Sequence, residues 1–278
     1  MKHLLLLFFI VTNLNAQSTL DFNKRFVESE DKWVAFQKNE EDSYAYGFIY
    51  VDEDAGLTLN YEGTFTITQN GEFIPTKFNN SSMKVRLEPN DVLVAFIPED
   101  KFNNLKIEAV PDWLKYYKEN ENSIERLYKW GFMYNGWNEC AKALTFLEKA
   151  EKINPKYPQL AVELSFSYNC LKQYSKAENI LEKEVKSNSK DAYVSKEYIY
   201  TLTKSNNIDK AIKHYKIAAK TVEDRQYNAE NCYNILQYFY LKKDKENFNI
   251  WHKELSKLEI SNEMIKQYAN SMNEELNK

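Results

Sequence analysis

One spacing constrains this chain more than any other. Ala143, Ala177 and Ala211 stand 34 residues apart, as do Trp130, Leu164 and Tyr198, and Leu147, Leu181 and Tyr215. A fixed period of this length marks a repeat array in which each copy is one supersecondary unit. Within the first copy, Trp130 to Pro155, the apolar residues recur at helical spacing on two segments separated by a short polar turn, which predicts a pair of amphipathic helices. Such a pair leaves an apolar face that only the next pair can cover, so the copies must stack.

Glycine and proline divide the chain. All six Gly and all six Pro fall between Gly47 and Pro158, and residues 159–278 contain neither. A long stretch without these breakers, rich in Lys, Glu, Leu and Ala, is helical. Residues 33–110 have a different texture, with short alternating runs separated by turn residues. Strands are expected at 32–37, 43–51, 57–62, 64–69, 72–74, 83–87, 92–97 and 105–110, with Asn70-Gly71 as a hairpin turn that favours positive φ at both positions. The run 92–97 is apolar throughout and is expected to be a central strand covered on both faces. The expected fold class is therefore α+β: a small antiparallel β-sandwich or barrel over 20–111, a helical linker over 112–123 with Trp113 at the junction, a helical array over 124–258, and a capping helix over 259–278 whose packing residues are Met264, Tyr268 and Met272.

Residues 1–16 carry a basic start, an apolar run from Leu4 to Val11 and Ala16 before Gln17, the pattern of a secretory signal peptide. The apolar run is too short to span a bilayer, and no later segment has enough apolar residues to do so. The expectation is an exported protein, periplasmic or extracellular, without a membrane span after signal cleavage. A net charge of −4 gives no basic footprint for nucleic acid. Three cysteines, Cys140, Cys170 and Cys232, are too few and too odd in number to build a disulfide scaffold.

Residues 124–157 resemble a tetratricopeptide repeat. Leu127, Trp130, Gly131, Tyr134, Ala143, Leu147, Ala150 and Pro155 stand in the register of that family's pattern. A second copy is carried by Ala161, Leu164, Ser165, Tyr168, Ala177 and Leu181, with Ser189 in place of the proline. A third is carried by Tyr198, Leu202, Ala211, Tyr215 and Ala218. A fourth pair, from about Tyr227 to Leu258, has an ambiguous register, since Cys232, Ile235, Leu236 and Phe239 also form an apolar face. The whole chain is similar to exported tetratricopeptide proteins of Bacteroidetes. The resemblance implies an α-solenoid of about four helical hairpins with a concave groove lined by the first helix of each. It places Phe132, Phe166 and Tyr200 on that groove as an aromatic row, Asn135, Asn169 and Thr203 beside them as an amide and hydroxyl row, and Tyr128 and Lys196 at neighbouring groove positions. Such a groove takes an extended peptide or a helix from a protein partner. Packing of the rings within the array, or filling of the groove by the protein's own segments, is the alternative. Clamping of a C-terminal carboxylate is not expected, because Lys196 alone is basic among the positions that would do it. Cys140 at the start of one helix and Cys170 at the end of an antiparallel neighbour can form a disulfide; two free buried thiols are the other possibility.

No catalytic constellation is present. Beyond the first 16 residues the only histidines are His214 and His252, each alone on an array helix, and no metal-binding, phosphate-binding or nucleophile motif occurs. Residues 52–56, Asp-Glu-Asp-Ala-Gly, share a fragment with calcium loops but lack the closing Glu, and a turn explains them. The function expected is thus non-catalytic protein–protein interaction or scaffolding, with no cofactor and no metal. A second reading gives glycan or small-ligand binding to the β domain through a same-face row of Tyr44, Tyr46 and Tyr50.

Overall fold

The structure is a computed structural model of the chain and describes residues 20–77, 83–187 and 190–277. The signal-peptide reading of 1–16 and Ser189 lie outside the described residues. The chain divides into two compact units between Glu119 and Asn120.

The first unit is one antiparallel sheet. Its strands are β1 (Lys24–Arg25), β2 (Lys32–Ala35), β3 (Tyr44–Asp52), β4 (Gly56–Ile67), β5 (Phe73–Lys77), β6 (Met83–Arg86) and β7 (Leu93–Phe96). Their order is β1-β7-β2-β3-β4-β5, with β6 also on β4, and β1 does not pair with β5. This corrects the expected sandwich or barrel: the sheet is single and not closed. One face carries Trp33, Tyr46, Phe48, Tyr50, Phe65 and Phe73, and what packs against it is helical. Leu105 comes from the short helix α1 (Phe102–Leu105), and Leu114, Trp113 and Tyr117 come from a 3-10 segment, Asp112–Tyr117. Those side chains bury the aromatic face without a second sheet. The strand expected at 105–110 is absent for the same reason, since Leu105 ends α1 and Lys106 turns left-handed at φ 55°. Trp113 meets Phe48 and Tyr50 edge-on, with ring centroids 5.8 and 5.0 Å away.

Two expected strands merge into β4. At Gly63 the backbone adopts φ 155°, and a Cβ there would lie 2.4 Å from Thr76 O, so only glycine lets the strand run on. The hairpin between β4 and β5 is present with a different turn. Gly71 N–H donates to Thr68 O at 2.9 Å and Gly71 alone is left-handed, at φ 76°. Of the apolar run 92–97, Val94 and Ala95 are fully buried but Val92 is exposed. Asp52 Oδ1 accepts from the backbone N–H groups of Asp54 and Ala55, both at 2.9 Å, which makes 52–55 a side-chain-capped turn.

The second unit is a stack of antiparallel helical hairpins. The first helices of the hairpins are α2 (Ile124–Gly136), α4 (Leu160–Cys170), α6 (Ala192–Lys204) and α8 (Asn228–Leu241). Their partners are α3 (Cys140–Ile153), α5 (Tyr174–Ser187), α7 (Ile208–Thr221) and α9 (Lys245–Leu255), and α10 (Glu263–Asn277) follows. Ser123 and Asp191 cap α2 and α6 through their side chains. The repeat residues form the core: Leu127, Trp130, Tyr134, Ala143, Leu147, Ala150, Leu164, Tyr168, Ala177, Leu181, Tyr198, Leu202, Ala211, Tyr215 and Ala218 are all buried. Pro155 sits exposed in the turn before α4. Gly131 lets α2 pack closely on α3, for an added Cβ would stand 2.3 Å from Leu147 Cγ.

Each hairpin turns through a left-handed residue, Asn138, Lys172, Asn206 and Lys243 in succession. The first two steps are 34 residues and the third, from 206 to 243, is 37. That insertion resolves the fourth register: Phe248, 37 residues after Ala211, occupies the helix crossing and is fully buried. The last helix packs through Ile265, Ala269, Met272 and Leu276. Met264 and Tyr268, expected to pack, are exposed at 55% and 51%, because the buried stripe lies one helical position further on. Among the described residues no helix is long and apolar enough to cross a membrane.

Candidate partner-binding groove

Of the expected aromatic row, carried on α2, α4 and α6, Phe166 and Tyr200 line one pocket and Phe132 is not among its lining residues. Phe132 is 55% exposed. Phe166 and Tyr200 are half-buried and line a pocket of about 440 Å³ with Tyr174, Cys170 and Lys196. Tyr128 is half-buried, with its ring centroid 6.4 Å from that of Phe132 and 5.2 Å from that of Tyr157. Burial raises the Tyr128 hydroxyl pKa, with Glu163 and Tyr157 adding to the shift, so this ring stays neutral and acts as an apolar surface with one polar tip.

The amide and hydroxyl row does not face the groove. Asn135, Asn169 and Thr203 are each less than a tenth exposed. Asn135 Nδ2 donates to Glu163 Oε2 at 2.8 Å, and its Oδ1 accepts from Ser167 Oγ at 2.6 Å. One repeat later Asn169 Nδ2 donates to Glu197 Oε2 at 3.0 Å, and its Oδ1 accepts from Thr201 Oγ1 at 3.0 Å. Thr203 donates to Tyr200 O within its own helix at 2.8 Å. Asn135 and Asn169 tie one hairpin to the next, and Thr203 is spent within its own helix. The carboxylate and hydroxyl members, Glu163, Glu197, Ser167 and Thr201, escaped the sequence reading. The signal was there: Glu163 and Glu197, and Ser167 and Thr201, are each 34 apart.

The ladder stops at the 37-residue step. Asn234 stands where Glu163 and Glu197 stand, and its Nδ2 is buried without a partner among the described residues. Threonine at 203 is too short to reach across.

The charge of Lys196 is internally matched. Lys196 Nζ is 2.9 Å from Glu197 Oε1 and 3.8 Å from Glu230 Oε1, and lies over the rings of Tyr193 and Tyr227 at 5.1 and 5.3 Å. Burial pulls its pKa down, and the two carboxylates more than offset this and leave it raised. Glu163, 2% exposed, has its pKa raised by burial against the lowering effect of hydrogen bonds from Asn135 and Tyr193. Lys196 is therefore a committed ion-pair partner and not a free cation for a ligand carboxylate.

The tyrosine row of the β unit is not a surface. Tyr46 and Tyr50 are fully buried, and Tyr44 stacks on Phe65 at 5.2 Å. A ligand platform of Tyr44, Tyr46 and Tyr50 is thereby excluded: the alternation placed them on the face that α1 and the 3-10 segment cover. No group of three or more His, Cys, Asp or Glu among the described residues could hold a metal ion. Cys140 and Cys170 are joined as a disulfide, with Cα atoms 6.3 Å apart, and Cys232 is a buried free thiol.

The second unit is thus a tetratricopeptide-like solenoid by its own geometry: antiparallel hairpins, a 34-residue step and a glycine at the first helix crossing. No family model matches the sequence, and no curated protein matches it. Among solved structures the chain is similar to a tetratricopeptide repeat protein from Parabacteroides merdae, at 16% identity and a TM-score of 0.44. The match covers 62% of each chain.

Proposed function

We propose that this chain is a non-catalytic interaction protein that holds a peptide segment of a protein partner against α2, α4 and α6. The observation that carries this reading is the pocket between Phe166 and Tyr200, with Phe132 exposed one repeat away on the same row. Exposed aromatic rings beside a concave pocket are the composition of interface anchors, because a rigid ring buries much apolar area at little entropic cost. Since Asn135, Asn169 and Lys196 are satisfied within the protein, the groove selects for apolar and aromatic side chains and against a terminal carboxylate. The chain acts outside the cytoplasm on this reading, supported by the signal-like run at 1–16 and by the disulfide, which belongs to oxidising compartments.

Selection from a displayed library of random peptides tests the proposal. Peptides enriched on the native chain and lost on the triple variant Phe132→Ala, Phe166→Ala, Tyr200→Ala support it. Peptides that bind both proteins equally, or no enrichment on the native chain, contradict it.

A further inference from the structure

The two sulfurs of the disulfide differ in their surroundings. Cys140 is 2% exposed and is the first residue of α3, a helix of 14 residues. Cys170 is the last residue of α4, half-buried, and forms part of the wall of the groove pocket together with Lys172 and Tyr174. Asn138 Oδ1 lies 3.4 Å from Cys170 Sγ and 3.9 Å from Cys140 Sγ, so the carbonyl oxygen of the turn sits against the bond.

Thiol–disulfide exchange requires a thiolate to reach one sulfur and expel the other. Of the two residues Cys140 is buried, while Cys170 is half-buried and lines the pocket, so an attacking thiolate meets Cys170 first. The sulfur that would leave, Cys140 Sγ, sits at a helix N-terminus, where the peptide dipoles and unpaired N–H groups favour the thiolate. Access and leaving-group stability thus point in one direction. For comparison, Cys232 is fully buried, and burial pushes its thiol up to about 12, so it takes no part at neutral pH.

We propose that the Cys140–Cys170 bond is a directional exchange site on the groove wall, attacked at Cys170 and released at Cys140. In the first step an incoming thiolate forms a new S–S bond to Cys170 Sγ and the old bond's electron pair leaves on Cys140 as thiolate; nothing is yet net oxidised or reduced. With a dithiol as the donor, its second thiolate attacks the mixed disulfide, frees Cys170 as thiolate, and the donor departs oxidised by two electrons. The products are two thiols on the chain, one at the pocket wall and one beneath it. A protein dithiol of an exporting compartment is the class of reductant this chemistry calls for.

The test uses the full oxidised chain in native buffer with glutathione as the attacking thiol. Samples are quenched in acid, unfolded, alkylated with N-ethylmaleimide and mapped by peptide mass spectrometry. Glutathione on Cys170 with maleimide on Cys140, in excess over the reverse by roughly tenfold or more, is the expected result. Equal amounts on the two cysteines, or an excess on Cys140, overturn the proposal. A parallel sample with excess dithiothreitol guards against rapid re-closure: the bond is expected to open without denaturant, and survival until guanidinium is added overturns the proposal as well.

Discussion

Asn135 on one hairpin donates to the carboxylate of Glu163 on the next at 2.8 Å, and 34 residues later Asn169 repeats the bond to Glu197 at 3.0 Å. These side chains are buried, so the bonds set the register between repeats where no water can substitute. Replacing Asn135 with Leu leaves Glu163 and Ser167 without that partner. The expected loss of unfolding free energy is about 2–3 kcal/mol, as for a hydrogen bond to a charged group. Denaturant melts of Asn135→Leu, Glu163→Gln and the double variant should show coupling between the two sites; additive losses would place the bond among the incidental ones.

Gly131 packs against Leu147 in the first hairpin with no room for a Cβ. A methyl group at Gly131 would meet Leu147 Cγ at 2.3 Å, and Leu147 is fully buried. Gly131→Ala should therefore destabilise the second unit by about 1–3 kcal/mol, although alanine is the better helix former. A combined Gly131→Ala, Leu147→Ala variant should lose less than the sum of the two single losses if the clash is the cause.

The disulfide closes a loop between residues 30 apart in sequence. By loop-closure entropy its removal in a Cys140→Ser, Cys170→Ser variant should cost about 3–4 kcal/mol. Thermal melts of the oxidised protein, the reduced protein and the double variant provide the comparison. The last two should melt together and below the first.

His214 gives the fold a dependence on pH. Burial lowers its pKa from the ordinary 6.5 to about 4, and its Nε2 is buried without a hydrogen-bond partner among the described residues. The unfolded chain then binds a proton that the folded chain refuses between pH 6.5 and 4. Stability from this residue is complete above pH 6.5 and is lost as pH falls through that window, by about 3 kcal/mol. Glu163, with its pKa raised by burial, acts in the opposite sense. Urea midpoints of the native chain and of His214→Leu at pH 7 and pH 4.5 separate the two, and the variant should lose less on acidification.

The array was legible because its key positions are sterically strict. In the first three hairpins small residues stand where the paired helices cross, so Gly131, Ala143, Ala177 and Ala211 announce the period in the sequence, whereas the fourth crossing carries Phe248. The 37-residue step was hidden because the apolar face of α8 is wide, with the adjacent Ile235 and Leu236 and then Phe239 all buried, so pattern alone admits several registers. Helix α1 and the 3-10 segment were misread or undervalued because short apolar runs fit strand and turn alike, and only the aromatic sheet face decides what covers it. The groove was half legible. A 34-residue offset locates Phe132, Phe166 and Tyr200, but an asparagine can face a ligand or a neighbouring glutamate equally well, and the pairing of Asn135 with Glu163 is a property of the stack.

The central claim is that α2, α4 and α6 hold the partner. The most direct measurement is a backbone amide chemical-shift map of the second unit's resonances in the full chain, titrated with a peptide enriched in the library selection. Shifts clustered around Phe132, Phe166 and Tyr200 are the predicted result. Shifts confined to the β unit, or to the outer helices α3, α5 and α7, would contradict it.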